Sequence, residues 1–422
     1  MKRLALALAA LALATTTPAR SQAPVTVVRA ARMLDVTRGV IVPNPVLVIR
    51  GDRIEAVGPS QAPAGARVID LGDVTLLPGF MDMHVHLTDD ISGDWVTRAV
   101  REGPADDALR GAHNAGLTLR AGFTTVRNLG ARGFSDIALM HAIERGDVEG
   151  PRIIPAGNAI GITGGHCDVT GYAPGILELG PEDGVADGVD AALRAVRYQI
   201  KHGAQVIKIC ATAGVLSFEG PVGAQQLSEE EMRAIVEEAH RHGLRVAAHA
   251  HGTEGIMAAV RAGVTSIEHG SMLSDSAIAL MKARGTYLVP TTSLADLIDL
   301  EHLPPPIRSK AEQILPLARA SVTRAIRAGV KIAFGTDAAV IPHGTNATEF
   351  AALVRRGMTP LDAIRTATLN AADLLGVDDR GVIAPGKLAD LVAVPGNPLE
   401  DIRVTEKVSW VMKGGVEYSP NH

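Results

Sequence analysis

Between residues 79 and 337, short apolar, β-branched runs alternate with stretches in which apolar positions recur every three or four residues. The first pattern is that of strands and the second that of amphipathic helices. Eight runs read as strands: "GFMDMHVH", "FTTVRNL", "RIIPAG", "AQVIKICAT", "LRVAAHAH", "VTSIEHG", "TYLVPT" and "KIAFGTD". The segments between them carry helix punctuation. In "SEEEMRAIVEEAHRHG", Ser228 and Glu231 form a capping box and Gly243 is the stop. Eight strand–helix units over about 300 residues predict an α/β fold, a (β/α)8 TIM barrel. A doubly wound sheet is the alternative, but it calls for a glycine-rich phosphate loop after the first strand, and the sequence has none there.

The two ends of the chain have a different texture. "VTVVRAARMLDV", "PVLVIRGDRIEAVG" and "ARVIDLGDVTLLPG" are strand-like runs broken by Gly and Asp, as in antiparallel structure. That texture returns only in "GVIAPGKLADLVAVPG" and "VSWVMKGGVEY". Each end is too short for a sandwich alone. Residues 24–77 and 382–422 are therefore expected to build one small β-sandwich domain from both chain ends, with 78–381 as the barrel. Ahead of both, "MKRLALALAALALATTTPARSQA" has a charged start, an apolar run and small residues at Ser21 and Ala23. It reads as a signal peptide, residues 1–23, which makes the expected location periplasmic or secreted, with no membrane attachment after its removal.

Composition narrows the function. A hydrophobic content of 46% over 422 residues supports a large core. A formal charge of -5 without a basic stripe excludes nucleic acid as a partner, and 3% aromatics disfavours a stacking platform. Cys167 and Cys210 either pair or lie as two buried thiols. Within its apolar strand, Cys210 reads as a packing thiol rather than a nucleophile.

The chemistry collects at strand ends. In "GFMDMHVHL" alternation sends Asp82, His84 and His86 to one face, the histidine Cα atoms about 7 Å apart, so that two ring nitrogens can converge on one ion. The fifth strand ends in His249 and His251, the sixth in His269 and the eighth in Asp337. In a barrel these ends form the rim where active sites sit. Lys208 lies between Val206, Ile207 and Ile209, in a strand expected to be buried on both faces. Burial lowers the pKa of such an amine. A neutral amine can take up carbon dioxide as a carbamate, a carboxylate able to bridge two metals. His166 in "ITGGHCD", Ser217 after Lys208, and His343 in "IPHGTN" lie on the same rim and are candidates for holding a substrate. Any of the three could equally cap its own loop.

The set "LPGFMDMHVHL", "TTVRNLG", "IKICATAG", "AAHAHG", "SIEHG", "FGTDA" and "GKLADLVAV" resembles the amidohydrolase superfamily, in particular its exported dipeptidase and imidazolonepropionase-like branch. The likeness runs from about residue 24 to the C-terminus. It implies two zinc ions: one on His84, His86 and Asp337, the second on His249 and His269, with carboxylated Lys208 and a hydroxide bridging them. His249 and His251 share a face, and the resemblance favours His249 as the ligand and His251 as the residue that polarises the substrate carbonyl. Asp337 would pass the proton from the nucleophile to the leaving amine. The implied activity is hydrolysis of dipeptides or N-acyl amino acids, including Xaa-Pro or Xaa-Arg dipeptides and the amide of ochratoxin, by a homo-oligomer. Cyclic-amide or imidazolone hydrolysis, or deamination, is the alternative chemistry, and a non-catalytic binding homologue is the alternative class. Two positions depart from the family pattern: Asn128 where Asp is frequent, and Ala213 in "ATAG" where Gly is common.

Overall fold

The computed structural model describes residues 25–58, 63–92 and 95–418. The expected signal peptide lies outside the described residues. No helix among those described is long and apolar enough to cross a membrane.

Two antiparallel-rich sheets are built from the chain ends. One has four strands, in the order Arg53–Val57, Val46–Arg50, Val25–Arg29, Arg67–Asp70. The other has six and mixes the termini: Val416–Tyr418, Trp410–Lys413 and Leu391–Pro395 continue into Val74–Pro78, Arg32–Asp35 and Val40–Pro43. The seam is the antiparallel pairing of Leu391–Pro395 with Val74–Pro78, Leu391 opposite Pro78. Alternation turns one face of each sheet inward. Val28, Leu47 and Ile49 of the first sheet accordingly meet Leu76, Leu391 and Met412 of the second in one buried apolar cluster.

The middle of the chain forms parallel strands separated by helices. They fall into a sheet of three, Arg152–Pro155, Phe123–Asn128 and Phe80–Val85, and a sheet of four, Ile207–Cys210, Val246–Ala250, Ser266–His269 and Tyr287–Val289. All these strands are buried along their whole length except at Arg152 and Ile154, as expected of parallel strands covered on both faces. The helix Glu229–Arg241 begins as its sequence requires. Ser228 Oγ accepts from Glu231 N at 3.2 Å, and Glu231 Oε2 accepts from Ser228 N at 2.7 Å.

The expectation of eight strands in one closed sheet is corrected here: seven are formed, in two sheets. The eighth run does not make a ladder of its own because it changes partner midway. Leu288 N donates to Lys331 O at 2.8 Å and Ala333 N to Leu288 O at 3.0 Å, after which Met83 N donates to Phe334 O at 2.8 Å and Asp337 N to His84 O at 2.7 Å. Asp337 then turns away with φ 59°, a left-handed conformation costly outside glycine. On the other side, Gly157 at φ 67° breaks the chain after Arg152–Pro155. Contact with the sheet of four resumes through Ile160 N to Lys208 O at 2.8 Å.

The reading of Cys210 as a packing thiol is also corrected. It is bonded to Cys167, the Cα atoms 5.8 Å apart, tying the loop after Arg152–Pro155 to the strand that carries Lys208. Closing a loop across a separation of 43 residues removes chain entropy from the unfolded state worth about 4 kcal/mol. Replacing both cysteines with serine should lower the free energy of unfolding by about 2–4 kcal/mol, read from denaturant midpoints. An unchanged midpoint would show that the tether carries no stability.

Candidate functional site

The polar strand ends converge. His84 and His86 both turn Nε2 toward Asp337 Oδ1, at 3.4 and 3.3 Å. The ring of His84 lies 5.0 Å from that of His269, and His269 lies 4.8 Å from His249. One ligand atom from each of His84, His269 and Asp337 falls within 4.8 Å of the others, and this buried trio could hold a metal ion. Lys208, His249 and His251 line the same cavity of about 320 Å³.

Four of these imidazoles, those of His84, His86, His251 and His269, are held at Nδ1, which leaves Nε2 to face the cavity. His84 Nδ1 pairs with Glu268 Oε2 at 2.9 Å, and His86 Nδ1 with Gly130 O at 3.3 Å. His251 Nδ1 meets Ser271 Oγ, and His269 Nδ1 meets Thr291 Oγ1, both at 2.8 Å. His249 Nε2 is buried and has no hydrogen-bond partner. A buried nitrogen without a partner is costly, and a cation facing its lone pair removes that cost. The donor set therefore fits a metal.

Electrostatics point the same way. Burial, with help from Lys208, lowers His84 to about 4. Burial and then His166 lower His251 to about 3. Burial also pushes His249 and His269 well below the ordinary range. Neutral imidazoles are the form that binds metal. For Asp337 burial acts upward, but the three facing imidazoles outweigh it and hold the carboxyl well below its ordinary value. Lys208 is brought down to about 8 by burial, reinforced by Arg127 and opposed by Glu268 and Asp337. A fraction of its amine is thus unprotonated near neutral pH.

Two residues beneath the cluster escaped sequence reasoning. Arg127, fully buried, donates from Nη2 to Glu268 Oε1 at 2.9 Å and from Nε to Met83 O at 2.6 Å. Glu268 thus joins Arg127 to His84. Burial pushes Glu268 up, but the Arg127 charge and the bond from His84 dominate and bring it to about 2. Strand alternation assigns Glu268 and His269 to opposite faces, yet both meet His84. His269 has φ 69°, and the departure from strand geometry turns it back beside Glu268. A charged residue inside the apolar run "TTVRN" was the available signal for Arg127.

The remaining candidates divide. His166 joins the group, its ring 4.1 Å from that of His249 and its Nδ1 2.6 Å from Ser217 Oγ. His343 stands apart, with Nε2 3.3 Å from Asp89 O. Asn128 has a definite role: its Oδ1 accepts from Leu87 N at 2.7 Å and fixes the backbone just after His86. Glu349, also missed, accepts from Thr292 N at 2.9 Å and Ser293 N at 2.6 Å. It thereby steadies the turn in which Thr291, at φ 47°, reaches His269.

Two outcomes test these supports. Arg127→Met strands a buried carboxylate and should cost about 3–5 kcal/mol in denaturant unfolding, with part regained on adding Glu268→Gln. No regain would mean that the loss is one of packing. Burial raises Glu349 from 4.5 to about 8. The folded chain therefore keeps a proton that the unfolded chain gives up across that window. Its contribution is complete below pH 4.5 and is lost as pH rises toward 8. Wild-type stability should then fall relative to Glu349→Gln between those limits, by up to about 1.4 kcal/mol per pH unit. Parallel stability profiles would refute the assignment.

Comparison with known proteins gives a consistent picture. Ochratoxinase of Aspergillus niger is 37% identical over 364 residues, spanning 81% of this chain and 75% of its own. Imidazolonepropionase of Cutibacterium acnes is 29% identical over 391 residues, 85% of this chain and 88% of its own. The crystal structure of a Xaa-Pro dipeptidase with methionine bound in its active site superposes with a TM-score of 0.90 at 40% identity, covering 94% of this chain and all of that one. Residues 75–417 match the amidohydrolase family. The chain belongs to that family and is a hydrolase acting on carbon–nitrogen bonds.

Proposed function

We propose that this chain is an exported, binuclear zinc amidohydrolase that cleaves dipeptides or N-acyl amino acids. The observation that carries the proposal is the convergence of buried His84, His249, His269 and Asp337, with half-buried His86, around Lys208. Relatives that include ochratoxinase and a Xaa-Pro dipeptidase support an amide substrate next to an amino acid. In this reading His84, His86 and Asp337 would hold one ion and His249 and His269 the other, with carboxylated Lys208 available to both. Two zinc ions in such a site supply an acidified water near neutral pH and polarise the amide carbonyl.

The chain's own residues do the rest. Asp337, kept ionised, accepts the proton of the attacking water and delivers it to the leaving nitrogen. His251, kept neutral and oriented by Ser271, donates to the developing oxyanion from Nε2. His166 is the candidate for the substrate's carboxylate, with Ser217 lining the pocket beside it. The surrounding architecture is read as a (β/α)8 barrel, 78–381, supported by the backbone bonds that link the two parallel sheets through Ile160 and through residues 331–337. Residues 24–77 and 382–422 form the accompanying β-sandwich. The Cys167–Cys210 disulfide supports export, since such bonds persist in oxidising compartments. A homo-oligomer is the expected assembly.

A second reading has one specific observation behind it. His84, His269 and Asp337 alone make a compact trio, which suits one ion and the cyclic-amide or deaminase chemistry of mononuclear sites. Metal analysis combined with hydrolysis separates the two. About two zinc ions per chain are expected, with cleavage of a panel of Xaa-Pro, Xaa-Arg, Xaa-Leu and Xaa-Phe dipeptides and ochratoxin A. Lys208→Ala should lose at least about 100-fold in kcat/KM together with metal occupancy. One ion per chain, with activity retained in Lys208→Ala, would overturn the bridged site.

A further inference from the structure

Beyond the polar cluster, the wall of the cavity is apolar and built to a pattern. The helix Pro305–Ala328 lines it with Ala311, Ile314, Leu315 and Ala318. That spacing of i, i+3, i+4 and i+7 is one continuous helical stripe. Leu294 and Ile298 line the cavity from the neighbouring turn, Leu216 from a loop, and Trp95 from the start of the helix Trp95–Arg101. The charged neighbours on the same helix are occupied elsewhere. Lys310 Nζ donates to Ser217 O at 3.0 Å and Glu219 O at 2.6 Å, Glu312 pairs with Arg308 at 2.9 Å, and Arg319 pairs with Asp296 at 3.1 Å. Among the described residues, the one formally charged side chain on the cavity wall apart from Lys208 and Asp337 is Asp89, which is exposed at the rim.

A second lobe of about 390 Å³, lined by more charged side chains, adjoins this one and shares His86, Trp95, His166 and Leu216 with it. Its guanidinium groups are already paired: Arg110 with Asp107 and Glu102, Arg132 with Asp107, Arg98 with backbone carbonyls. The cleft thus has an inner chamber, which holds the metal-binding side chains and the apolar helix stripe, and an adjoining chamber with more charged side chains in its wall.

We propose that the inner chamber is a specificity pocket for an apolar side chain or acyl group, so that amides of leucine-like or phenylalanine-like residues are cleaved in preference to those of basic or acidic ones. The inference rests on the amidase reading above and specifies its substrate class. Apolar groups gain by leaving water for these walls. A guanidinium, ammonium or carboxylate entering the chamber finds no partner and loses its hydration. The rim carboxylate of Asp89 is screened by solvent and does not compensate.

The test is a matched panel on the zinc-loaded enzyme. Leu, Phe, Arg and Asp are varied on each side of the scissile bond in turn, with Ala on the other. On one side, kcat/KM for Leu or Phe should exceed that for Arg or Asp at least about tenfold. Ile298→Glu should erase the preference for Leu over Arg. Ala318→Leu, which narrows the chamber without a charge, should reduce cleavage of Phe substrates more than of Ala substrates. Calorimetric binding of N-acetyl-leucine against N-acetyl-arginine reads the same chamber without turnover, and the leucine compound should bind at least about tenfold tighter. Equal or better handling of Arg substrates, or equal binding of the two acetylated amino acids, would overturn the proposal. If no amide is cleaved at all, the amidase reading falls, and the binding ratio alone then decides whether the chamber selects apolar groups.

Discussion

Everything at the site depends on a carboxylate kept ionised where water does not reach. Glu268 is fully buried, and the adjacent Arg127 guanidinium, with the bond from His84, keeps it charged there. From that pair the order propagates upward. Glu268 fixes which nitrogen of His84 carries the proton, and His84 then turns the lone pair of Nε2 toward the space it shares with Asp337. Arg127 also ties Met83 O and Ser266 Oγ, so one guanidinium links strands from both parallel sheets beneath the histidines. Buried ion pairs contribute little net stability compared with apolar packing. This one is better understood as the device that sets orientation.

Strain accumulates just above it. His269, Thr291 and Asp337 all have positive φ, although none is glycine, and all three touch the same cluster. Such conformations persist only where the surroundings over-determine them. Here the surroundings are visible: Glu349 holds the turn at Thr291, while Asp82 accepts from Thr336 N at 3.2 Å and Thr336 Oγ1 at 2.6 Å, just ahead of Asp337. The turns that break strand regularity are the same turns that aim the donors inward.

The sequence was legible where one periodicity governed one element. Alternation in "MDMHVH" placed His84 and His86 together, and the lone lysine in "VIKIC" announced a buried amine, which the structure places against the histidines. The capping box at Ser228 forms as read. Legibility failed where a residue left its element's periodicity. His269 and Glu268 cannot both be placed by alternation, and the run "KIAFGTD" is a good strand by composition but divides its bonds between two partners. Pairings between distant segments were equally out of reach. Nothing in the local pattern around Cys167 or Cys210 says that one bonds the other. Glu349 looks like any helix carboxylate until the turn at Thr292 is folded over it.

The seam between the chain ends orders events in time. Pro78 stands opposite Leu391, and Gly79 N donates to Asp390 O at 2.8 Å, one residue before the strand that carries His84 begins. That strand is made early in synthesis, but its upstream anchor arrives only once the chain has been made past residue 391. A nascent chain holding every polar residue of the cluster therefore still lacks the clasp that sets their first strand. The strand that opens the cluster is thus clasped by a segment that lies beyond every one of the cluster's own residues in the chain.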